Sequence, residues 1–344
     1  MVYSSIDFLK FFFCLCIIAI HSDAFAGVGP TANFYITQSI FRLAVPFFFV
    51  ASGFFLGKKI SRRPNDIDVC YKRYIYRMFV PLLFFSAINI VLESVKMSGY
   101  MNGPMIFKEI MKHVVFYPWG ALWFVQACIV GIIFLYPFVA RKKIRYAIAL
   151  GFFLYVWALL CNNYFFIAKD TVLEPYVRVF MNVFISARNG IFVGFVYLAI
   201  GFGLGANPKI NTSPQKTLLW STLCMALYLI EITLLKNRSS MDDSALYISQ
   251  LLLVPLILFY GTQMSLPIHP QKCLMLRNFS VGMYLLHRPI LSIMDILGVN
   301  YLPNYMLWFV VCSFCAGICF FAYKSEGFLK KYFFSLINVE RTIV

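Results

Sequence analysis

Apolar residues gather in ten long stretches, at about 7–25, 36–57, 76–95, 121–140, 144–162, 189–206, 217–235, 246–264, 279–298 and 303–323. Each approaches the roughly 20 residues that a helix needs to cross a bilayer core. Polar and basic residues fill the intervals. The pattern predicts an all-α polytopic membrane protein with about ten transmembrane helices. It shows no internal repeat, low-complexity tract or soluble domain, so residues 1–344 read as one integral membrane domain.

Composition agrees. Of 344 residues 61% are hydrophobic and only 13% charged, against about 25% charged in a soluble domain. Such a chain is neither disordered nor a secreted disulfide scaffold. The net charge of +16 suggests nucleic acid at first sight. In a polytopic protein it is explained instead by Lys and Arg on cytoplasmic loops, and no nucleic-acid partner is expected. With the N-terminus inside, nineteen of the thirty basic residues fall on inner segments and eight on outer ones. Both termini are then cytoplasmic. Seven inner residues cluster between the second and third spans: Lys58, Lys59, Arg62, Arg63, Lys72, Arg73 and Arg77. The inner count also includes Lys209, Lys330, Lys331 and Arg341.

The first span imitates a signal peptide, with Ala24-Phe25-Ala26 as a cleavage-like site. No basic region precedes it, and Asp7 and Lys10 stand at its start, so it is expected to remain. The ten cysteines lie mostly in apolar runs. Cys312, Cys315 and Cys319 share a helix face, but no His or acidic residue sits nearby. They are expected to be packing residues, and no metal is expected.

Ionisable side chains at hydrocarbon depth are costly and are the first functional candidates. They are Asp7, Lys10, His21, Arg42, Glu231, His287, Arg288 and Asp295. His21 follows Lys10 by eleven residues, which leaves it about 20° past three full turns and roughly 16 Å along the axis. Asp7, Lys10 and His21 therefore share one stripe about 60° wide. That stripe must face protein or a wet cavity. Arg42 precedes Pro46 and the Ser52-Gly53 pair in the second span. His287 and Arg288 are neighbours in the ninth, about 100° apart, so they need separate partners. Trp123-Phe124 opens the fourth span as an interface anchor.

In order along the chain, these residues resemble the acyltransferase-3 family of polytopic membrane acyltransferases. The matching blocks are Asp7-Phe8-Leu9-Lys10 with His21; Arg42 to Pro46 with Phe48-Phe49-Val-Ala-Ser52-Gly53; Lys72-Arg73 with Arg77 to Pro81; Leu122-Trp123-Phe124; and Ser280 to Pro289. The resemblance covers nearly the whole chain. Some members carry a fused soluble domain; only about 21 residues follow the last span here.

The resemblance implies transfer of an acyl group, usually acetyl, from cytoplasmic acyl-CoA to a hydroxyl. The acceptor would be a sugar of a cell-surface or lipid-linked glycan, and the location the cell (inner) membrane, embedded in lipid. It also implies a catalytic role for His21, with Lys10, Arg42 and Ser52 in the active cavity. Asp7, His287 and Arg288 are added to that cavity from their own placement. Lys72, Arg73 and Arg77 suit the phosphates of coenzyme A. A His can serve as general base toward the hydroxyl or carry the acyl group itself. The rival reading is a transporter or flippase for a glycan or lipid-linked substrate. It shares buried charges and kinked helices but would not need coenzyme A.

Overall fold

A computed structural model describes residues 3–207, 212–299 and 302–325. Lys209, Lys330, Lys331 and Arg341, counted above on inner segments, lie outside the described residues. The helices are α1 (Ser4–His21), α2 (Pro30–Gln38), α3 (Ala44–Arg62), α4 (Ile67–Met97), α5 (Gly103–Phe116), α6 (Trp123–Ala140) and α7 (Ile144–Leu160). They continue as α8 (Phe165–Ala168), α9 (Glu174–Phe184), α10 (Phe195–Ala206), α11 (Pro214–Leu235), α12 (Gln250–Gln263), α13 (Pro270–Ile296) and α14 (Asn304–Lys324). No strand occurs among the described residues.

Six helical segments are long and apolar enough to cross a membrane: Ser4–His21, Pro30–Arg62, Pro64–Met97, Trp123–Ala140, Pro214–Leu235 and Asn304–Lys324. The apolar helices Ile144–Leu160, Gly190–Ala206 and Gln250–Gln263 are shorter. Large apolar side chains stand exposed on these segments, among them Leu219, Leu227 and Leu234 on α11 and Phe309, Phe314 and Phe321 on α14. A water-soluble surface does not carry such continuous apolar faces, whereas lipid favours them. The protein is a multi-pass membrane protein.

Helix ends follow local chemistry. Asn102 caps α5 by accepting from the Met105 N–H, and Ser213 caps α11 by accepting from Lys216. Pro214 and Pro270 sit in first turns, where no N–H is required. His269, which attracts no role in the sequence, caps α13 through Nδ1 on the Gln271 N–H. Pro46 behaves likewise. The second apolar run is not one helix: α2 ends at Gln38, Phe41–Leu43 forms a 3-10 turn, and α3 begins at Ala44. Pro46 thus falls in the first turn of α3, where it costs no hydrogen bond. Two amphipathic helices, α5 and α9, were not expected; their apolar stripes are too short to stand out as runs.

The chain divides into two compact units. The first consists of Met1–Ala44, Phe79–Leu122 and Ser265–Val344, the second of Val45–Met78 and Trp123–Met264. In the first, α1 packs along α13, and α14 packs on both. The indole N–H of Trp308 on α14 donates to the Leu15 carbonyl at 3.3 Å. In the second, α3 and α10 interlock through glycines. A Cβ on Gly53 or Gly57 would strike the carbonyls of Leu198 or Phe202, and one on Gly201 or Gly205 those of Val50 or Phe54. The glycine-rich sixth apolar run serves this close approach.

Candidate active site

The first unit gathers most of the candidate residues. α1 ends at His21 because Ser22 closes it: both the Ser22 N–H and its hydroxyl donate to the Ile18 carbonyl. Asp23 then turns left-handed at φ 49°, and its carbonyl accepts from Asn304 at 3.1 Å. His21 is therefore the last helical residue rather than a mid-helix one, and it is partly exposed.

His287, from α13, lies beside it. The two imidazole centroids are 5.3 Å apart, with the ring planes inclined by 31°. His287 is fully buried. Its Nδ1 lies 2.6 Å from the Tyr284 carbonyl one turn back. A carbonyl only accepts, so Nδ1 carries the proton and Nε2 holds the lone pair. That Nε2 is buried and has no hydrogen-bond partner among the described residues.

Tyr284 is fixed in turn. Its hydroxyl donates to the Ala121 carbonyl in the turn before α6. That turn takes φ 72° at Gly120 and 63° at Ala121. A Cβ on Gly120 would collide with the Asn89 side chain, so only glycine fits there. The frame runs from this turn through Tyr284 to His287.

Asp7 has another partner. It is 1% exposed, and Arg277 of α13 donates to both of its oxygens, Nε at 2.9 Å and Nη2 at 2.8 Å. This fork closes the far end of the α1–α13 pair, roughly 21 Å from His21 along the helix axis. Lys10 is partly buried on the same helix. Arg42 stands on the 3-10 turn, and its Nε donates to Gln38 Oε1 at 3.0 Å. Its turn packs against α1. Arg288 is half-buried, and its Nε is buried without a hydrogen-bond partner among the described residues.

Two suspects from the sequence serve the scaffold. Glu231, in the second unit, accepts from the Tyr164 hydroxyl at 2.6 Å and from the N–H groups of Ile248 and Ser249. It thereby closes the turn that leads into α12. Asp295 pairs with Lys96 at 2.8 Å, and Ser292 donates to Glu93 at 2.9 Å, which clamps α13 to α4. Trp123 is buried rather than anchored at an interface, with the Arg188 guanidinium 5.6 Å from its ring centre. Cys14 of α1 lies near Cys312, Cys315 and Cys319 of α14. Among the described residues all ten cysteines are free, and no group of three or more His, Cys, Asp or Glu is placed to hold a metal ion.

The second unit holds the other candidates. Ser52 lies on α3 beside Tyr74 and Cys128. Lys72 and Arg73 are exposed on the first turns of α4, and Arg77 is half-buried one turn on. Lys59 on α3 lies within electrostatic reach of Arg63, Arg73 and Arg77. Lys58 lies within the same reach of Arg62 on its own helix. Sequence reading missed Arg277 as the partner of Asp7, and it missed the turn at Gly120-Ala121. The carboxylate at the start of α1 needed a cation, but nothing in the spacing said which.

The imidazole pair thus lies among helices of a multi-pass membrane protein. The profile of the acyltransferase domain family (acyltransferase-3) matches residues 3–325, and the chain belongs to that family. It is also 26% identical over 295 residues to a serine/alanine racemase of Enterococcus gallinarum, covering 82% of this chain and 40% of the relative. It is 27% identical over 224 residues to an amino-acid racemase of Enterococcus faecalis, covering 65% of this chain and 31% of the relative. The chain spans less than half the length of these curated relatives. No solved structure matches.

Proposed function

We propose that the protein is an O-acetyltransferase of the cell (inner) membrane. In this reading it moves an acetyl group from cytoplasmic acetyl-CoA to a sugar hydroxyl of a cell-surface or lipid-linked glycan. The observation that carries the reading is the His21–His287 imidazole pair, 5.3 Å between centroids, in a chain of this family. An alcohol is a weak nucleophile at neutral pH, and a neutral imidazole is the natural base to activate it. His21 takes the hydroxyl proton, the C–O bond forms, and the C–S bond breaks with its electron pair going to sulfur. The thiolate then receives the proton from His21. Arg42 stabilises the negative charge that builds on the carbonyl oxygen. Lys72, Arg73 and Arg77 hold the phosphates of coenzyme A. No step calls for a metal.

The racemase names of the relatives belong to proteins that the chain covers by less than half, and no racemase chemistry is carried over. The test uses purified protein in lipid nanodiscs with acetyl-CoA labelled in the acetyl group and a membrane glycolipid extract of the source cells. Label on glycolipid, dependent on the protein, supports transfer. Transport of glycolipid in vesicles without consumption of acetyl-CoA would support the flippase reading instead.

Two further results are expected. Neutralising Lys72, Arg73 and Arg77 together raises the KM for acetyl-CoA by on the order of tenfold or more and leaves the acceptor KM within about twofold. Steady-state kinetics with each substrate varied checks this; a raised acceptor KM alone would contradict the phosphate-binding role. In the ten-crossing arrangement both termini are cytoplasmic. Reporter fusions at the C-terminus and within residues 58–77 should both report the cytoplasmic side, and an external signal from either would overturn it.

A further inference from the structure

We propose that Arg288 binds a permanent anionic group of the acceptor, a carboxylate or a phosphate, beside the His21–His287 pair. The acceptor is then an acidic or phosphate-linked glycan and not a neutral one. The proposal rests on the acyl-transfer reading and narrows its substrate class.

Three observations lead there. First, Arg288 is a half-buried cation that makes no hydrogen bond or ion pair among the described residues. A guanidinium always carries its charge, and a charge drawn out of water without a counter-ion is unfavourable. Of its three nitrogens only Nε is both buried and unpartnered, so the two terminal nitrogens are open to a ligand. Second, the nearby acids are held by other groups. Ser292 and Asp295 follow Arg288 by four and seven residues, about 40° to one side and 20° to the other, so the three share one stripe of α13. That stripe meets α4, where Ser292 donates to Glu93 at 2.9 Å and Lys96 pairs with Asp295 at 2.8 Å. Lys96 also lies 3.6 Å from Glu93. These two contacts advance together along α4 and α13, so the helices run parallel here. The α4 position one turn before Glu93 then corresponds to Arg288. It is Asn89, which is neutral and 2% exposed, with its amide donating to the Phe85 carbonyl at 2.9 Å. Among the described residues the fold brings no anion to Arg288. Third, Arg288 directly follows His287, whose ring centroid is 5.3 Å from that of His21. An anion on Arg288 is held within two side-chain lengths of the imidazole pair.

The source of the anion follows from the two substrates. Acetyl-CoA brings a neutral thioester to the histidines. Its phosphates stand at the far end of a long arm, and in the same reading they belong to Lys72, Arg73 and Arg77. The charge on the reacting carbonyl oxygen is transient and falls to Arg42. A standing negative charge beside the pair therefore arrives with the acceptor. The guanidinium fork matches carboxylate and phosphate alike, so a uronic-type sugar and a phosphate link to lipid share the chemistry that Arg288 recognises.

The test divides the glycolipid extract by anion exchange into a neutral and an acidic fraction and offers each with labelled acetyl-CoA. Label should enter the acidic fraction. Arg288→Gln should raise the KM for that fraction by on the order of tenfold to a hundredfold, with kcat and the KM for acetyl-CoA within about twofold. Amidating the fraction with a carbodiimide should abolish labelling if the anion is a carboxylate, and cleaving its phosphate esters with aqueous hydrofluoric acid should do so if it is a phosphate. Thermal unfolding in detergent gives a readout apart from turnover. The acidic fraction should raise the unfolding temperature of the wild type and not of Arg288→Gln. Without ligand the variant should unfold no earlier than the wild type, since it breaks no bond among the described residues. Should it not fold, Arg288→Met takes its place. Labelling of the neutral fraction, survival of labelling after both chemical treatments, or a loss confined to kcat would overturn the proposal. If the acidic fraction stabilises the wild type alone but takes no label, the acyl-transfer reading fails and the anion site stands.

Discussion

His21→Ala is expected to abolish acyl transfer while leaving the protein folded in the membrane. His21 is the last residue of α1 and partly exposed, so its removal leaves no large void in the bundle. The helix end is held by Ser22 bonding to Ile18, not by the imidazole. What is lost is the group that takes the hydroxyl proton. Loss of a general base typically costs 10²–10⁴ in rate, and loss of a covalent acyl carrier costs more. The measurement is turnover of labelled acetyl-CoA by the purified variant, with its thermal unfolding in detergent as control. Retention of more than about a tenth of wild-type turnover would make His21 a structural residue.

The second large effect falls on stability. Removing Arg277 alone, as in Arg277→Ala, should destabilise the protein by about 3–5 kcal/mol, because it leaves the Asp7 carboxylate buried and uncompensated. Asp7 is 1% exposed and takes both of its hydrogen bonds from that guanidinium. Removing both charges, as in Asp7→Asn with Arg277→Met, should recover most of the loss. Unfolding of the two single variants and the double variant measures the coupling. Additive effects would show that the fork does not tie α1 to α13. Catalytic turnover per folded molecule should change little, since Asp7 lies roughly 21 Å from His21 along the helix.

Much of this was legible in the chain. Long apolar runs mark helices because a bilayer span demands them, and the costly polar exceptions stand out against that background. His21 and His287, 266 residues apart, were both singled out in this way, and the fold brings their rings together. Breaks and partners were harder to read. The interruption at Phe41–Leu43 hides inside an apolar run, because a 3-10 turn needs no polar punctuation when protein surrounds it. Only Pro46 hinted that a new helix begins there. Arg277 looked like one more basic residue of an inner loop, whereas α13 begins early, at Pro270, and brings Arg277 to Asp7. Glu231 looked like chemistry and proved to be a cap, since a half-buried carboxylate that accepts from donors at the α12 turn leaves the same trace in the sequence as a catalytic acid. The bond between Tyr284 and Ala121 rests on a backbone carbonyl, which composition and spacing do not show.

The most direct measurement of the central claim is mass spectrometry of the surface glycans and lipid-linked intermediates of the source cells, with and without this protein. The account predicts that cells with the protein carry the mass increment of one acetyl group on a sugar, placed by fragmentation on a hydroxyl. That increment should disappear without the protein and return with the wild-type chain, but not with His21→Ala. Identical glycan masses in the presence and absence of the protein would contradict the account.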